Sequence, residues 1–74
     1  MLNTYYKDLT KENKRFAIHR IASKTDFTEE IVKKVLQRYN PLMEIQENRI
    51  VINRNSYHKL IREIYKENEN GVSK

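Results

Sequence analysis

Residues 21–36, Ile-Ala-Ser-Lys-Thr-Asp-Phe-Thr-Glu-Glu-Ile-Val-Lys-Lys-Val-Leu, decide the fold of this 74-residue chain. A helical pattern over residues 10–25 stops there, and a second helical pattern begins at once and runs over residues 28–39. Thr28 is a preferred N-cap residue, and Asp26 tolerates the left-handed backbone that a sharp turn requires. The stretch therefore predicts two helices that are joined by a tight turn.

Apolar residues mark the inner faces of both predicted helices. In the first helix, Ile18, Ile21 and Ala22 recur at spacings of three and four, and Thr10 is placed to cap its start. The second helix has an apolar arc composed of Ile31, Val32, Val35, Leu36 and Tyr39. Before the first helix, the segment from Leu2 to Leu9 predicts a short helical turn that packs on the domain.

The second half of the chain changes its period after Pro41. Two short β-type runs, residues 42–46 and 49–53, flank Glu47-Asn48 and predict a two-stranded hairpin. Asn55 or Ser56 is expected to cap a last helix, in which Lys59 and Glu63 are placed to pair. Its apolar stripe consists of Tyr57, Leu60, Ile61, Ile64 and Tyr65.

The predicted architecture is mainly α with a small β-hairpin, in a single domain of residues 1–67. Periodicity is lost near the end, so residues 68–74 are predicted to form a flexible tail. Hydrophobic residues make up 38% of these 74 residues, so the sequence predicts a small core. The absence of cysteine agrees with a cytoplasmic protein, and no apolar run approaches the length of a membrane span.

Few residues in the sequence suggest chemistry. The two histidines, His19 and His58, lie far apart and lack a third soft ligand, so no metal site is expected. The single glycine, Gly71, excludes a glycine-rich phosphate loop, and no serine has a histidine and a carboxylate at suggestive spacing. We therefore expect a protein that is not an enzyme and that needs no cofactor.

The net charge of +5 favours anionic partners, and its distribution is uneven. Residues 1–25 hold six lysines or arginines against two carboxylates, whereas residues 26–41 hold three of each. On the first helix, Lys11, Lys14 and Arg15 are candidates for contacts to a phosphate backbone, and a simple solvated surface is the alternative interpretation.

The central stretch resembles the helix-turn-helix of bacterial, phage and plasmid DNA-binding proteins. Ala22 is the small residue at the helix crossing, Phe27 is the apolar residue of the turn, and Thr28 caps the second helix. Asp26 stands where the family often has glycine. The hairpin that follows resembles the wing of winged helix-turn-helix proteins. A weaker resemblance is to the N-terminal part of histone-like HU proteins, whose hairpin arm is longer than the one predicted here.

The resemblance implies that residues 28–39 form a recognition helix that enters the major groove of double-stranded DNA. Gln37 would then address adenine and Arg38 guanine. Glu29 and Glu30 near the start of the helix work against this: either one of them contacts cytosine, or the helix docks differently, or this face does not touch DNA. The wing would reach the minor groove or the phosphates. The candidate DNA-binding residues are Lys24, Thr28, Glu29, Lys33, Lys34, Gln37, Arg38, Asn48, Arg49 and Arg54.

The function expected from this resemblance is that of a transcriptional regulator or an accessory factor at a replication, transfer or recombination site. Replacement of Lys33, Lys34 and Arg38 by alanine is predicted to abolish DNA binding. The alternative is a protein-binding adaptor, or a phage-encoded inhibitor of a host protein, on the same fold. The apolar stripe of the last helix either closes the core of the monomer or forms the seam of a homodimer.

Overall fold

The computed structural model describes the backbone of residues 3–72 and the side chains of residues 3–69. A short 3₁₀ turn, Tyr6–Asp8, precedes helices α1 (Lys11–Thr25) and α2 (Glu29–Arg38). Strands β1 (Met43–Gln46) and β2 (Arg49–Ile52) then form an antiparallel hairpin, and helix α3 (Arg54–Val72) follows directly. This architecture confirms the predicted fold class, which is mainly helical with one small hairpin.

Threonine caps fix the starts of α1 and α2, as the sequence predicts. The Thr10 hydroxyl accepts a hydrogen bond from the Asn13 amide at 3.2 Å, and the Thr28 hydroxyl accepts one from the Ile31 amide at 3.3 Å. Between the two helices, Asp26 adopts a left-handed conformation with φ 63°. Asp26 thus takes the backbone position that favours glycine, and the chain reverses within three residues.

The hairpin pairs Met43 with Ile52 and closes on Glu47 and Asn48. Both turn residues have positive φ, 49° and 63°, which is the pattern of a tight two-residue hairpin turn. The chain near the N-terminus joins the other side of β1, where the Met43 amide donates a 2.8 Å hydrogen bond to the Thr4 carbonyl. The hairpin is therefore anchored to residues far away in sequence.

Helix α3 begins and ends differently from the prediction. Its N-cap is Asn53 rather than Asn55 or Ser56, because the Asn53 side chain accepts a 2.8 Å hydrogen bond from the Asn55 amide. The Asn53 carbonyl also accepts the first helical bond, from Tyr57. At the other end the backbone stays helical to Val72, beyond the predicted start of the tail at residue 68. Residues 73 and 74 of that tail lie outside the described residues.

A single core joins all three helices to the hairpin. Leu60 and Ile64 of α3 are fully buried, as are Val35 of α2 and Met43 of β1. The buried hydrophobic residues are Tyr6, Ala17, Ile21, Ala22, Val32, Val35, Leu36, Met43, Leu60 and Ile64. Within the described residues, no helix is both long enough and apolar enough to cross a bilayer.

Candidate nucleic-acid interface

An open groove runs between the N-terminal half of α1 and the exposed face of α2. Three cations of its wall come from α1, one from the 3₁₀ turn and one from α2. The residues that line it are Tyr6, Lys7, Lys11, Lys14, Arg15, Ile18, Glu29, Glu30, Lys33, Leu36, Gln37 and Asn40. Five of these side chains are cationic and two are carboxylates, so the groove is positively charged overall.

Local structure explains how the cations come together. Lys11, Lys14 and Arg15 are spaced by three and four residues, which places them on one face of α1. The Lys14 ammonium lies 5.9 Å from the centre of the Tyr6 ring. The backbone amide of Lys7 donates a 3.0 Å hydrogen bond to the Asn40 side chain, which ties the 3₁₀ turn to the end of α2. The N-terminal segment is thereby held along one end of the groove.

Two carboxylates at the start of α2 partly offset this charge. Glu29 and His19 form a hydrogen bond of 3.0 Å between Oε2 and Nδ1 across the helix turn, and both side chains are exposed. Glu30 also lines the groove. Glu29 and Glu30 also stabilise the first turn of α2 through the helix dipole, so their presence has a structural cause as well.

Arg38 lies on the opposite edge of α2, beside α3. Its guanidinium donates to Glu67 at 2.8 Å and to Glu63 at 3.5 Å. The hydrogen bond to Glu67 is the main cause that raises the pKa of Arg38. These two bonds engage the guanidinium with carboxylates of the same chain. Glu63 also pairs with Lys66 at 3.7 Å. This edge of α2 is therefore occupied by α3 carboxylates.

The predicted pair between Lys59 and Glu63 is wrong. Glu63 points to Arg38 and Lys66 instead, while the Lys59 ammonium lies 5.1 Å from the centre of the Tyr39 ring. Helical spacing allows the predicted pair, but the neighbouring helix α2 offers each side chain a different partner.

The structure divides the predicted DNA-binding residues between surfaces. Lys33, Gln37 and Glu29 line the groove described above. Lys24 and Arg49 instead line a separate cleft between the C-terminal half of α1 and the hairpin. The remaining predicted residues are Thr28 at the cap of α2, Lys34 on its exposed side, Arg38 beside α3, Asn48 in the hairpin turn and Arg54 at the start of α3, all exposed.

The sequence pattern does not mark several residues of these surfaces as binding residues. Lys7 and Asn40 belong to the groove, and Arg20 belongs to the cleft near the hairpin. The N-terminal excess of positive charge was the available signal for Lys7 and Arg20. Asn40 gave no signal, because its role depends on a hydrogen bond to a residue 33 positions away.

The apolar stripe of α3 lies mainly within the monomer. Leu60 and Ile64 are fully buried, and Ile61 packs against the core. Tyr57 is half-buried, whereas Tyr65 is 57% exposed. The stripe therefore contributes to the core of a single chain, and Tyr65 is its main exposed member.

Among the residues that the structure describes, no group of three side chains is placed to hold a metal ion. Searches against protein-family models, curated proteins and solved structures find no match to this chain.

Proposed function

We propose that this protein is a non-catalytic double-stranded DNA-binding protein, and that the groove between α1 and α2 contacts the DNA backbone. In this proposal it acts in the cytoplasm as a transcriptional regulator or as an accessory factor at a replication, transfer or recombination site of phage or plasmid type. The observation that carries the proposal is the group of five cations that line one side of α2.

The arrangement of these cations suits a phosphate backbone. Lys11, Lys14 and Arg15 form a row along α1, and Lys33 extends the positive surface onto α2. Within the described residues, no ion pair of 4.0 Å or less involves any of these four side chains. Cations that are not neutralised within the protein release condensed counterions when they contact phosphates, which is the main source of sequence-independent affinity for DNA.

The exposed face of α2 is the proposed recognition surface. Lys33, Lys34 and Gln37 are exposed along it, and the helix is anchored below by Val32, Val35 and Leu36. Gln37 has the amide group that can bond adenine in two places. We assign base contacts to Lys34 and Gln37, and we assign phosphate contacts to Lys33 and the α1 cations.

The primary test is fluorescence anisotropy of a labelled random-sequence duplex, titrated at several salt concentrations. We expect the wild-type chain to bind with a Kd of roughly 10⁻⁴–10⁻⁶ M at physiological salt. The variant K11Q/K14Q/K33Q should bind at least about tenfold more weakly. The slope of the logarithm of affinity against the logarithm of salt concentration, the log–log salt slope, should also fall in magnitude by about 0.9 for each phosphate contact removed.

The control variant, K59Q/R62Q/K66Q, removes the same formal charge from α3, at residues that neither line the groove nor belong to the candidate DNA-binding residues. Its affinity should stay within about threefold of wild type if the groove is the binding surface, since screening weakens distant charges. Equal losses in the two variants would show a general charge effect, and no binding by the wild type at low salt would exclude the proposed function.

A protein partner is the second candidate function. Glu29 and Glu30 place negative charge in the groove, and Tyr6 and Ile18 add apolar surface to it. Mixed charge with apolar surface is common at protein interfaces. An immobilised wild-type chain should then enrich one host protein from a nuclease-treated lysate, and the K11Q/K14Q/K33Q variant should lose it. Enrichment that disappears after nuclease treatment would instead indicate capture through nucleic acid.

A further inference from the structure

A second basic surface lies on the other side of α1 from the groove. It consists of two adjoining clefts that share Lys24 and Tyr57. The clefts are lined by Arg20, Ile21, Lys24, Thr25, Arg49, Ile50, Ile52, Tyr57, His58, Ile61, Arg62 and Tyr65. We call these residues the rear surface. It presents four lysine or arginine side chains, and no carboxylate lines either cleft.

Helical geometry separates the rear surface from the groove. Lys11 and Arg20 are nine residues apart on α1, as are Arg15 and Lys24. Nine residues make two and a half turns, so the members of each pair point to opposite sides of the helix. A ligand on the rear surface is therefore not an extension of a duplex that lies in the groove.

Aromatic side chains distinguish the rear surface from the groove chemically. Tyr65 is 57% exposed, yet its ring is fixed by an edge-to-face contact with Phe27, at 5.1 Å between centroids and 89° between planes. Tyr57 is half-buried where the two clefts meet, and the His58 side chain is exposed beside it. A large exposed ring that is held in place by the fold is suited to receive another flat ring.

We propose that the rear surface binds single-stranded nucleic acid. Arg20, Lys24, Arg49 and Arg62 contact successive phosphates, and an unpaired base stacks on Tyr65. Cations interleaved with exposed aromatic rings are the combination that binds single strands, because every base has a face that stacks. A duplex keeps the faces of its bases paired with one another and cannot use Tyr65 in this way. This inference does not depend on duplex binding in the groove.

The test is fluorescence anisotropy of the full chain with labelled oligo(dT) and oligo(rU) of about 15 nucleotides, near the upper site size of single-strand binding folds. The Tyr65→Ala variant should bind the strand about fivefold or more weakly, the loss that corresponds to one stacked base. The matched variant Tyr65→Phe keeps the ring and should bind within about twofold of wild type. The sugar that binds more tightly identifies DNA or RNA as the strand.

A second variant keeps the proposal testable if Tyr65→Ala disturbs the fold. Tyr65→Leu retains apolar contact to Phe27 but lacks the flat ring. It should therefore fold, and it should bind the single strand more weakly than the wild type does. The charge variant K24Q/R49Q/R62Q should lose single-strand binding and salt dependence while K11Q/K14Q/K33Q keeps both. Single-strand affinity that is unchanged in both Tyr65→Leu and K24Q/R49Q/R62Q would overturn the proposal. If K11Q/K14Q/K33Q loses duplex binding and keeps single-strand binding, the result supports a separate single-strand site on the rear surface.

Discussion

The two edges of helix α2 carry similar residue types and differ in what their neighbours supply. On the α1 edge, Lys33 lies beside Lys11 and Lys14, and positive charge accumulates. On the α3 edge, Arg38 is held by Glu63 and Glu67 at 3.5 and 2.8 Å. The charge of the first edge faces solvent, whereas the charge of the second edge is paired with two carboxylates of α3.

This comparison shows why residue type alone does not identify a binding residue. Lys33 and Arg38 are both exposed cations of one helix, and the sequence marks both as candidates for DNA contact. Their roles are separated by side chains that come from other helices, 25 and 29 residues away in the case of Arg38. The predictions that follow either remove the difference between the edges or enlarge it.

The largest effect is expected from Ile64→Ala, which removes the packing that keeps α3 and its carboxylates against α2. Ile64 is fully buried, so the substitution leaves a cavity and should lower the free energy of unfolding by about 2–5 kcal/mol. For a domain of this size that is a large share of the total stability. Urea denaturation followed by far-UV circular dichroism measures the change.

Ile61→Ala is the matched control on the same helix, because Ile61 is only partly buried. It should cost clearly less than Ile64→Ala. Equal and small losses in both variants would mean that α3 is not packed on α2 as described, and the acidic edge would then have no structural basis.

An intermediate effect is expected from E63Q/E67Q, which removes the partners of Arg38. Arg38 then becomes available to a phosphate, and two negative charges leave the face of α2. Duplex affinity should rise, and the log–log salt slope should steepen by about 0.9 if Arg38 gains one phosphate contact. Anisotropy with the same random-sequence duplex measures both quantities.

Glu69→Gln is the control for this change, since it removes an α3 carboxylate for which no ion pair is described. Its salt slope should match that of the wild type. An unchanged salt slope in E63Q/E67Q would show that Arg38 lies away from the DNA. An equal steepening in Glu69→Gln would show that the change does not come from Arg38.

The smallest effect concerns alkaline pH and Tyr6, whose ring lies in the wall of the groove. Burial raises the pKa of Tyr6 above the ordinary value of a tyrosine, about 10. The unfolded chain therefore loses this proton first. The contribution of Tyr6 to stability is full below about pH 10 and declines as pH rises through the higher folded pKa.

Thermal unfolding between about pH 9 and pH 11.5 should therefore show a shallower loss of Tm in Tyr6→Phe than in the wild type. Identical pH profiles of the two proteins would mean that the Tyr6 hydroxyl ionises equally in the folded and unfolded chains.

Most of the fold could be predicted from the sequence because its signals are local. Thr10 and Thr28 cap their helices through amides only three residues away, and Asn48 takes the positive φ that the hairpin turn requires. The start of α3 was predicted wrongly for a reason that is also local. Asn53 ends the second β-type run, and its side chain caps the helix from that position.

The candidate site was less predictable because it is assembled from distant segments. The partners of Arg38 lie on a different helix, and Asn40 meets the backbone of Lys7 across 33 residues. Periodicity reports which face of a helix is polar but not which other helix lies beside that face. The division of the predicted DNA-binding residues between the groove and the rear surface depends on which side of α1 faces α2 and which faces the hairpin. The sequence pattern does not contain that information.

The attachment of the N-terminal segment to strand β1 has a consequence for how the chain folds. The hairpin and the contact between α1 and α2 join neighbours in sequence, which favours rapid formation. By contrast, the bridge between Tyr5 and Leu42 must close a long loop and meets the loop-closure entropy of that loop. We expect this bridge to form after the helices have docked. The basic groove, which needs Lys7 in place, would then be completed in the last step of folding.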